Sequence, residues 1–148
     1  MESLKIRPQV QENIDNFLNE QKLILDNVSP AAGQIINFAK DFLSGGKRLR
    51  AAFCYWGYKG SGGAGETEIL HAASALEFLQ GCALVHDDVM DASDTRRGKP
   101  SIHKRFEHLH QAGKWAGGEE LFGIGGAVLL GDLMLSWADQ MLLTSGID

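Results

Sequence analysis

The chain has little of what marks several classes of protein. It holds only two cysteines in 148 residues, both inside apolar helical patterns, which excludes a disulfide scaffold and favours a reducing compartment. Positive charge is also scarce: 14 Lys and Arg stand against 19 Asp and Glu, so the net charge is −5. That balance argues against a nucleic-acid binder that relies on bulk electrostatics.

Long apolar runs are missing as well. The most apolar stretch, residues 123–143, is broken by Asp132 and Asp139, so no membrane span is expected. The N-terminal residues lack the apolar segment of a signal peptide, which together with the cysteine usage favours a cytoplasmic location.

Apolar residues nevertheless make up 44% of the chain, which suits a globular core. Their spacing is helical almost everywhere, and no convincing strand period is present. Helices are predicted over about residues 10–23, 30–43, 47–58, 67–92 and 121–144, with a polar loop over 93–118. The predicted class is all-α. The last two helices are apolar nearly all round, which favours half of a larger helical fold over a small bundle that dimerises.

An acidic cluster lies at the end of the longest apolar helix. Asp87 and Asp91 are four residues apart and share a face, with Asp88 beside them. Like charges at this spacing near a helix C-terminus destabilise the helix, and a divalent cation relieves the repulsion. Oxygen ligands favour a hard ion such as Mg²⁺. The alternative, a solvated acidic helix end, is less favoured because the preceding turns are almost wholly apolar.

Two basic clusters accompany it. In the first, Lys47 and Arg50 share a helix face behind a glycine pair, whose backbone N–H groups suit an anion. In the second, Arg96 and Arg97 could fork onto phosphate oxygens or simply form salt bridges with the aspartates. The first cluster could equally be a helix cap followed by a solvated basic turn. Gln80 lies two turns before Asp87 on the same stripe and needs a partner, from the core or from a substrate.

Two other patterns carry less weight. The glycines at 123–126 lack the strand and the βαβ unit of a dinucleotide site, so close helix packing is the better interpretation. His103, His108 and His110 lack a fourth ligand and fall in the predicted loop, which disfavours zinc. His71 and His86 are interpreted as structural helix positions.

Taken in order, Gly45–Arg50, Asp87–Asp91 and Thr95–Pro100 resemble the trans-isoprenyl diphosphate synthases, the polyprenyl synthetase family, of the geranylgeranyl diphosphate synthase type. The similarity covers nearly the whole chain from about Phe38, and Gly131-Asp132-Leu133 also looks like a family stretch. It implies that residues 1–148 are a partial polyprenyl synthetase domain. This would be the N-terminal half of the isoprenoid synthase helical bundle, with the first aspartate-rich motif and without the second.

The resemblance implies a Mg²⁺-dependent prenyltransferase that condenses isopentenyl diphosphate with an allylic diphosphate, working as a homodimer. Small residues stand where the family sets product length, which implies a long product, geranylgeranyl diphosphate being favoured. The implied roles are Mg²⁺ binding by Asp87 and Asp91 with support from Asp88, allylic diphosphate contact by Arg96, isopentenyl diphosphate contact by Lys47, Arg50, Gln80 and Arg97, and product-length control by Cys82 and Ala83.

The sequence also departs from the family pattern. Ala51 stands where proline is usual, Gln80 stands where many members have histidine, and family members are much longer. The chain alone is therefore not expected to catalyse the condensation. The alternatives are a non-catalytic subunit that pairs with a complete synthase, a class I terpene cyclase, and a helical interaction module without a ligand.

Overall fold

Helices form nearly all of the structure, a computed structural model that describes residues 3–29 and 32–147. In chain order they are α1 (Ser3–Val28), α2 (Gly33–Leu43), α3 (Leu49–Gly60), α4 (Glu66–Met90), α5 (Ile102–Gly113) and α6 (Glu119–Leu143). Between α4 and α5, two short strands, β1 (Thr95–Arg96) and β2 (Lys99–Pro100), pair antiparallel. The predicted all-α class is confirmed.

The predicted helices agree well with α3, α4 and α6, whose ends lie within two residues of the expected ones. The first helix is longer than expected at both ends. The expected start of the second helix, at residue 30, lies outside the described residues, and its end near Leu43 is correct.

The prediction of a loop over residues 93–118 was wrong. This segment contains the hairpin and α5, a three-turn helix. The polar composition hid a helical stripe, in which Ile102 and Phe106 are buried together with His103 and His110. Two histidines thus belong to the buried face of this helix, and a count of apolar residues alone underestimates the width of that face.

The chain divides into two compact units. The first comprises the described residues up to Leu79 and those from Ser136 onward, and the second is Gln80–Leu135. In the first unit the rings of Phe17, Phe78 and Trp137 pack edge to face, with centroids 5.3–6.3 Å apart. The Trp137 indole N–H donates to Oε1 of Gln21 at 3.1 Å, which satisfies a donor that burial would otherwise leave unpaired.

In the second unit, α6 packs on α5 through glycines. A Cβ on Gly123 would lie 2.5 Å from the backbone oxygen of His103, and one on Gly126 would lie 2.6 Å from the Phe106 ring. Side chains at these two positions would force the helices apart. The interpretation of this glycine run as a packing surface is confirmed.

Two helices among the described residues, α4 and α6, are long and apolar enough to cross a membrane by length and composition. Core helices of soluble proteins pass the same test, so this is weak evidence for a span. The expectation of no span rested on the lack of an unbroken apolar run, which is a stricter criterion than the mean composition that α4 and α6 satisfy.

Candidate functional site

The acidic end of α4 holds two adjacent carboxylates in opposite environments. The Asp87 side chain is 57% exposed, whereas that of Asp88 is 1% exposed. Arg96 bridges them: its Nε–H donates to Oδ2 of Asp88 at 2.8 Å, and its Nη2 donates to Oδ2 of Asp87 at 3.2 Å. Arg96 thus forms salt bridges with both aspartates, which is one of the two interpretations that the sequence left open.

The backbone that carries these groups is tightly specified. Beyond Asp87 and Asp88 the helix ends in a Schellman motif, in which Ser93 N–H donates to Asp88 O and Ala92 N–H donates to Val89 O. Ala92 occupies the left-handed position of that motif, with φ of 50°. The chain then returns through the hairpin, so that Arg96 follows the buried aspartate by eight residues and lies against it.

The hairpin turn explains the conformation of the second arginine. Arg96 pairs with Lys99, and the two residues between them, Arg97 and Gly98, both have positive φ, 53° and 75°. This is the geometry of a two-residue type I′ turn, which favours glycine at the second position. Arg97 is consequently exposed at the tip of the hairpin while Arg96 is held against α4.

Charge and burial act in opposite directions on the pKa of Arg96, and the contacts with the aspartates outweigh the burial. The hydrogen bond to Asp88 is the main reason that the pKa of Arg96 is raised above its ordinary value, and the charges of Asp88 and Asp87 add to it. The other oxygen of Asp88, Oδ1, is buried and has no hydrogen-bond partner among the described residues. One carboxylate oxygen is thus held firmly and the other is left unsatisfied, which is uncommon for a buried group.

His86 fixes the same stretch of α4 to α6. Its Nε2 lies 3.1 Å from the carbonyl oxygen of Val128 and 3.5 Å from Oδ1 of Asp132. Its Nδ1 lies 3.8 Å from the thiol of Cys82, whose pKa is raised by burial and by the charge of Asp132. The ring occupies the space over Gly131, where a Cβ would lie 2.2 Å from Nε2. The Gly131-Asp132 pair in the sequence is the signal for this contact, which sequence reasoning did not connect to His86.

The first basic cluster separates into exposed and buried cations. Lys47 and Arg50 are exposed. Arg48 between them is buried: its Nη1 donates to Oε2 of Glu77 at 2.7 Å, and its Nη2 donates to Gln11 and to the Leu43 carbonyl. Sequence reasoning missed Arg48, because nothing in the spacing distinguishes a buried arginine from its exposed neighbours.

The glycine pair before this cluster has left-handed backbone, with φ of 75° at Gly45 and 87° at Gly46. Arg48 is also left-handed and caps α3 without a side-chain hydrogen bond to that helix. A groove of about 560 Å³ opens beside the loop, lined by Arg7, Pro8, Gln11, Asp15, Ser44, Gly45, Gly46 and Arg48. Its lining includes two arginines, Arg7 and Arg48, and one carboxylate, Asp15, so the groove carries charges of both signs.

The remaining predicted residues lie along α4. Gln80 is half-buried, and its side chain has no hydrogen bond with any described residue. Of the two product-length residues, Cys82 is buried and contacts His86, whereas Ala83 is exposed four residues before Asp87 on the same side of the helix. The two positions are therefore not equivalent, although the sequence treats them as a pair.

The two predicted metal ligands are exposed carboxylates at the end of α4, and they do not form a complete ligand cage. Asp87 and Asp91 are both exposed, and the Asp91 N–H donates to the Asp87 carbonyl at 2.8 Å, which continues the helical spacing between them. Among the described residues no group of three His, Cys, Asp or Glu could hold a metal ion. Two carboxylates suffice for Mg²⁺ when water and phosphate oxygens complete its shell.

The three histidines of α5 have different surroundings and do not form a ligand cluster among the described residues. Oγ of Ser101 lies 3.2 Å from Nδ1 of His103, and the His110 ring packs on Phe122 at 5.1 Å. His108 is exposed. His103 and His110 thus take part in hydrogen bonding and packing, whereas His108 faces solvent.

Comparison with known proteins decides the family. A model of the polyprenyl synthetase family matches residues 34–146, which is most of the chain. The chain belongs to the polyprenyl synthetase family. A crystal structure of geranylgeranyl pyrophosphate synthase from Corynebacterium glutamicum, complexed with isoprenyl diphosphate and magnesium, superposes with a TM-score of 0.91 at 35% identity. That match covers 97% of this chain and 42% of the other.

Curated relatives point the same way. Large subunit 1 of the heterodimeric geranylgeranyl pyrophosphate synthase of Arabidopsis thaliana chloroplasts is 38% identical over 105 residues, 70% of this chain and 24% of the relative. Geranylgeranyl diphosphate synthase of Methanosarcina mazei is 36% identical over 99 residues, 67% of this chain and 25% of the relative. The chain thus spans about a quarter of the length of these family members.

Proposed function

We propose that this chain carries the first aspartate-rich motif and the basic sites of a Mg²⁺-dependent trans-prenyltransferase. The reaction joins isopentenyl diphosphate to an allylic diphosphate and gives a longer prenyl diphosphate, with geranylgeranyl diphosphate favoured. The observation that carries the proposal is the Arg96 guanidinium held against Asp87 and Asp88 at the end of an apolar helix. A chain of the same fold, 35% identical, binds isoprenyl diphosphate and magnesium.

On the allylic side, Asp87 and Asp91 would hold Mg²⁺, which supplies positive charge to the departing diphosphate. Arg96 would add a second, fixed cation to the same oxygens. The allylic C–O bond breaks, the double bond of isopentenyl diphosphate forms the new C–C bond, and a proton leaves. Apolar residues along α4 would keep water from the cationic carbon.

On the acceptor side, Lys47, Arg50 and Arg97 would bind the diphosphate of isopentenyl diphosphate. All three are exposed. Gln80, whose amide has no partner among the described residues, would add a neutral hydrogen bond.

Product length is proposed to depend on Ala83 more than on Cys82. Ala83 is exposed on the side of α4 that bears Asp87, so a larger residue there would project beside the proposed allylic site. Cys82 is 7% exposed and packs against His86, so enlarging it would first disturb packing.

The chain by itself is proposed to bind substrates without turning them over, because it contains a single aspartate-rich motif.

A second candidate role is a non-catalytic subunit that pairs with a complete synthase. One relative is named as the large subunit of a heterodimeric synthase, so pairing of unlike chains has a precedent among similar proteins. Asp87, Asp88 and Asp91 favour the catalytic role, since a regulatory subunit does not require them. We expect two copies of this chain to form a homodimer. The expected location is the reducing cytoplasm.

The test is incorporation of labelled isopentenyl diphosphate by the 148-residue chain with Mg²⁺ and dimethylallyl, geranyl or farnesyl diphosphate. We expect no elongated product from the chain alone, and product when it is mixed with a family member whose own first motif is inactivated. Asp87→Asn in this chain should abolish the restored activity.

Asp94→Asn is the matched control, because it removes an exposed carboxylate from the loop that follows α4 and leaves Asp87 in place. Elongation by the chain alone would show that its binding site is already complete. Stimulation of an intact synthase that survives Asp87→Asn would favour the subunit role.

A further inference from the structure

Two adjacent carboxylates share one guanidinium, and they do so unequally. Asp88 accepts from Nε of Arg96 at 2.8 Å with its side chain 1% exposed. Asp87 accepts from Nη2 at the longer distance of 3.2 Å with its side chain 57% exposed. The first contact is buried and the second is open to solvent.

Asp88 is poorly placed to bind a hydrated cation. Its Oδ2 already accepts the Nε–H of Arg96, and its Oδ1 is enclosed without a partner among the described residues. Mg²⁺ retains several waters and demands near-octahedral space, which a carboxylate enclosed on all sides does not offer. The exposed Asp87 meets that requirement.

The arginine is correspondingly held at one end. A bond through Nε uses one of the five N–H donors of the planar guanidinium, and the N–H groups of Nη1 and Nη2 remain able to donate to other acceptors. The exposed contact of Nη2 with Asp87 is the weaker of the two, because solvent screens it. A ligand can therefore replace Asp87 on Nη2 without detaching Arg96 from Asp88.

We propose that Asp88 is a positioning residue, which anchors Arg96 through Nε so that Nη2 passes from Asp87 to a diphosphate oxygen when Asp87 takes up a divalent cation. The proposal rests on the proposed function of this site. It assigns the three aspartates different tasks: Asp87 and Asp91 face the ion, and Asp88 faces the arginine.

The first experiment observes the anchor directly. In ¹⁵N-labelled chain, the Nε–Hε signal of Arg96 should be resolved and slow to exchange with solvent. Asp88→Asn should weaken that protection at least tenfold, whereas Asp87→Asn and the control Asp94→Asn should leave it within about twofold. Protection that is unchanged by Asp88→Asn, or lost equally with Asp87→Asn, overturns the anchor.

The second experiment separates the ion from the anion, with Mg²⁺ and inorganic diphosphate as probes in calorimetric titrations. Asp87→Asn should weaken Mg²⁺ binding. Asp88→Asn should change Mg²⁺ affinity by less than about twofold while weakening diphosphate binding about tenfold in the presence of Mg²⁺. Arg96→Gln should give the same loss, and the Asp88→Asn/Arg96→Gln pair should lose no more than either single change.

These outcomes distinguish the anchor from the proposed function. Wild-type chain that binds neither probe would refute the proposed function, and the exchange measurement would still show whether Asp88 holds Arg96. A loss of Mg²⁺ affinity in Asp88→Asn equal to that in Asp87→Asn would make Asp88 a metal ligand and end the proposal. Should Asp88→Asn fail to fold, Arg96→Gln and Arg96→Lys test the same coupling from the more exposed partner, which is 25% exposed.

Discussion

The basic loop before α3 and the acidic end of α4 follow the same plan with opposite charge. In each, one charged residue is buried in an ion pair while its neighbours are exposed: Arg48 beside Lys47 in the first region, and Asp88 beside Asp87 in the second. The buried member makes its ion pair inside the fold, and the exposed members face solvent. A cluster of like charges in sequence therefore contains two classes of residue.

The two buried ions differ in how completely they are satisfied. Arg48 donates to a carboxylate of α4, an amide of α1 and a backbone carbonyl, and its side chain is 5% exposed. Asp88 has one partner, Arg96, which is itself shared with an exposed carboxylate, and its second oxygen has none among the described residues. Arg48 is therefore held by three partners within the scaffold, whereas the Arg96–Asp88 pair keeps one unpaired carboxylate oxygen and one solvent-exposed contact.

The strongest test of this contrast is Arg48→Met. Among the described residues it removes the cation that pairs with Glu77, whose side chain is 12% exposed, and leaves that carboxylate uncompensated. We expect a loss of about 3–5 kcal/mol in the free energy of unfolding, measured by urea denaturation. Arg50→Met, at an exposed neighbour, should change stability by no more than about 0.5 kcal/mol. Equal effects of the two changes would remove the distinction between scaffold and ligand-binding cations.

A smaller effect is expected from Gly131→Ala. The new Cβ would lie 2.2 Å from Nε2 of His86, whose ring is held by the Val128 carbonyl, so ring and helix must shift. We expect a loss of about 1–3 kcal/mol in thermal or urea unfolding. Gly125→Ala on the same helix has no atom within 4 Å of the new Cβ and should stabilise by about 0.5–1 kcal/mol. A Gly131→Ala change with no effect on the free energy of unfolding would show that the His86 ring can move aside without cost.

The smallest effect concerns pH. Burial lowers the pKa of His71 below its ordinary value of 6.5, while the charge of Glu20 opposes the shift. The unfolded chain therefore binds a proton more readily than the folded chain, and stability should fall as the pH drops through 6.5 and below. His71→Gln should flatten that part of the profile of unfolding midpoint against pH. A midpoint that rises toward acid in the wild type would contradict the sign.

Local pattern was enough to find most helices and the charged motifs. The apolar period located α3, α4 and α6 closely, and the order of the basic, acidic and double-arginine stretches identified the family that the comparisons confirm. The pattern failed for α5, because its buried face includes His103 and His110, which an apolar count treats as polar. It also failed for the hairpin, whose strands are too short to show a period of two.

By itself, the sequence determined which residue types stand at which helical spacing, since helix geometry converts spacing into faces without knowledge of the partner element. That sufficed for the class, the family and the candidate residues. Only the tertiary structure decided which charges are buried. Arg48 differs from Lys47, and Asp88 from Asp87, through Glu77 and Arg96, which lie 29 and eight residues further along the chain. Burial depends on those distant partners, and spacing within one helix carries no information about them.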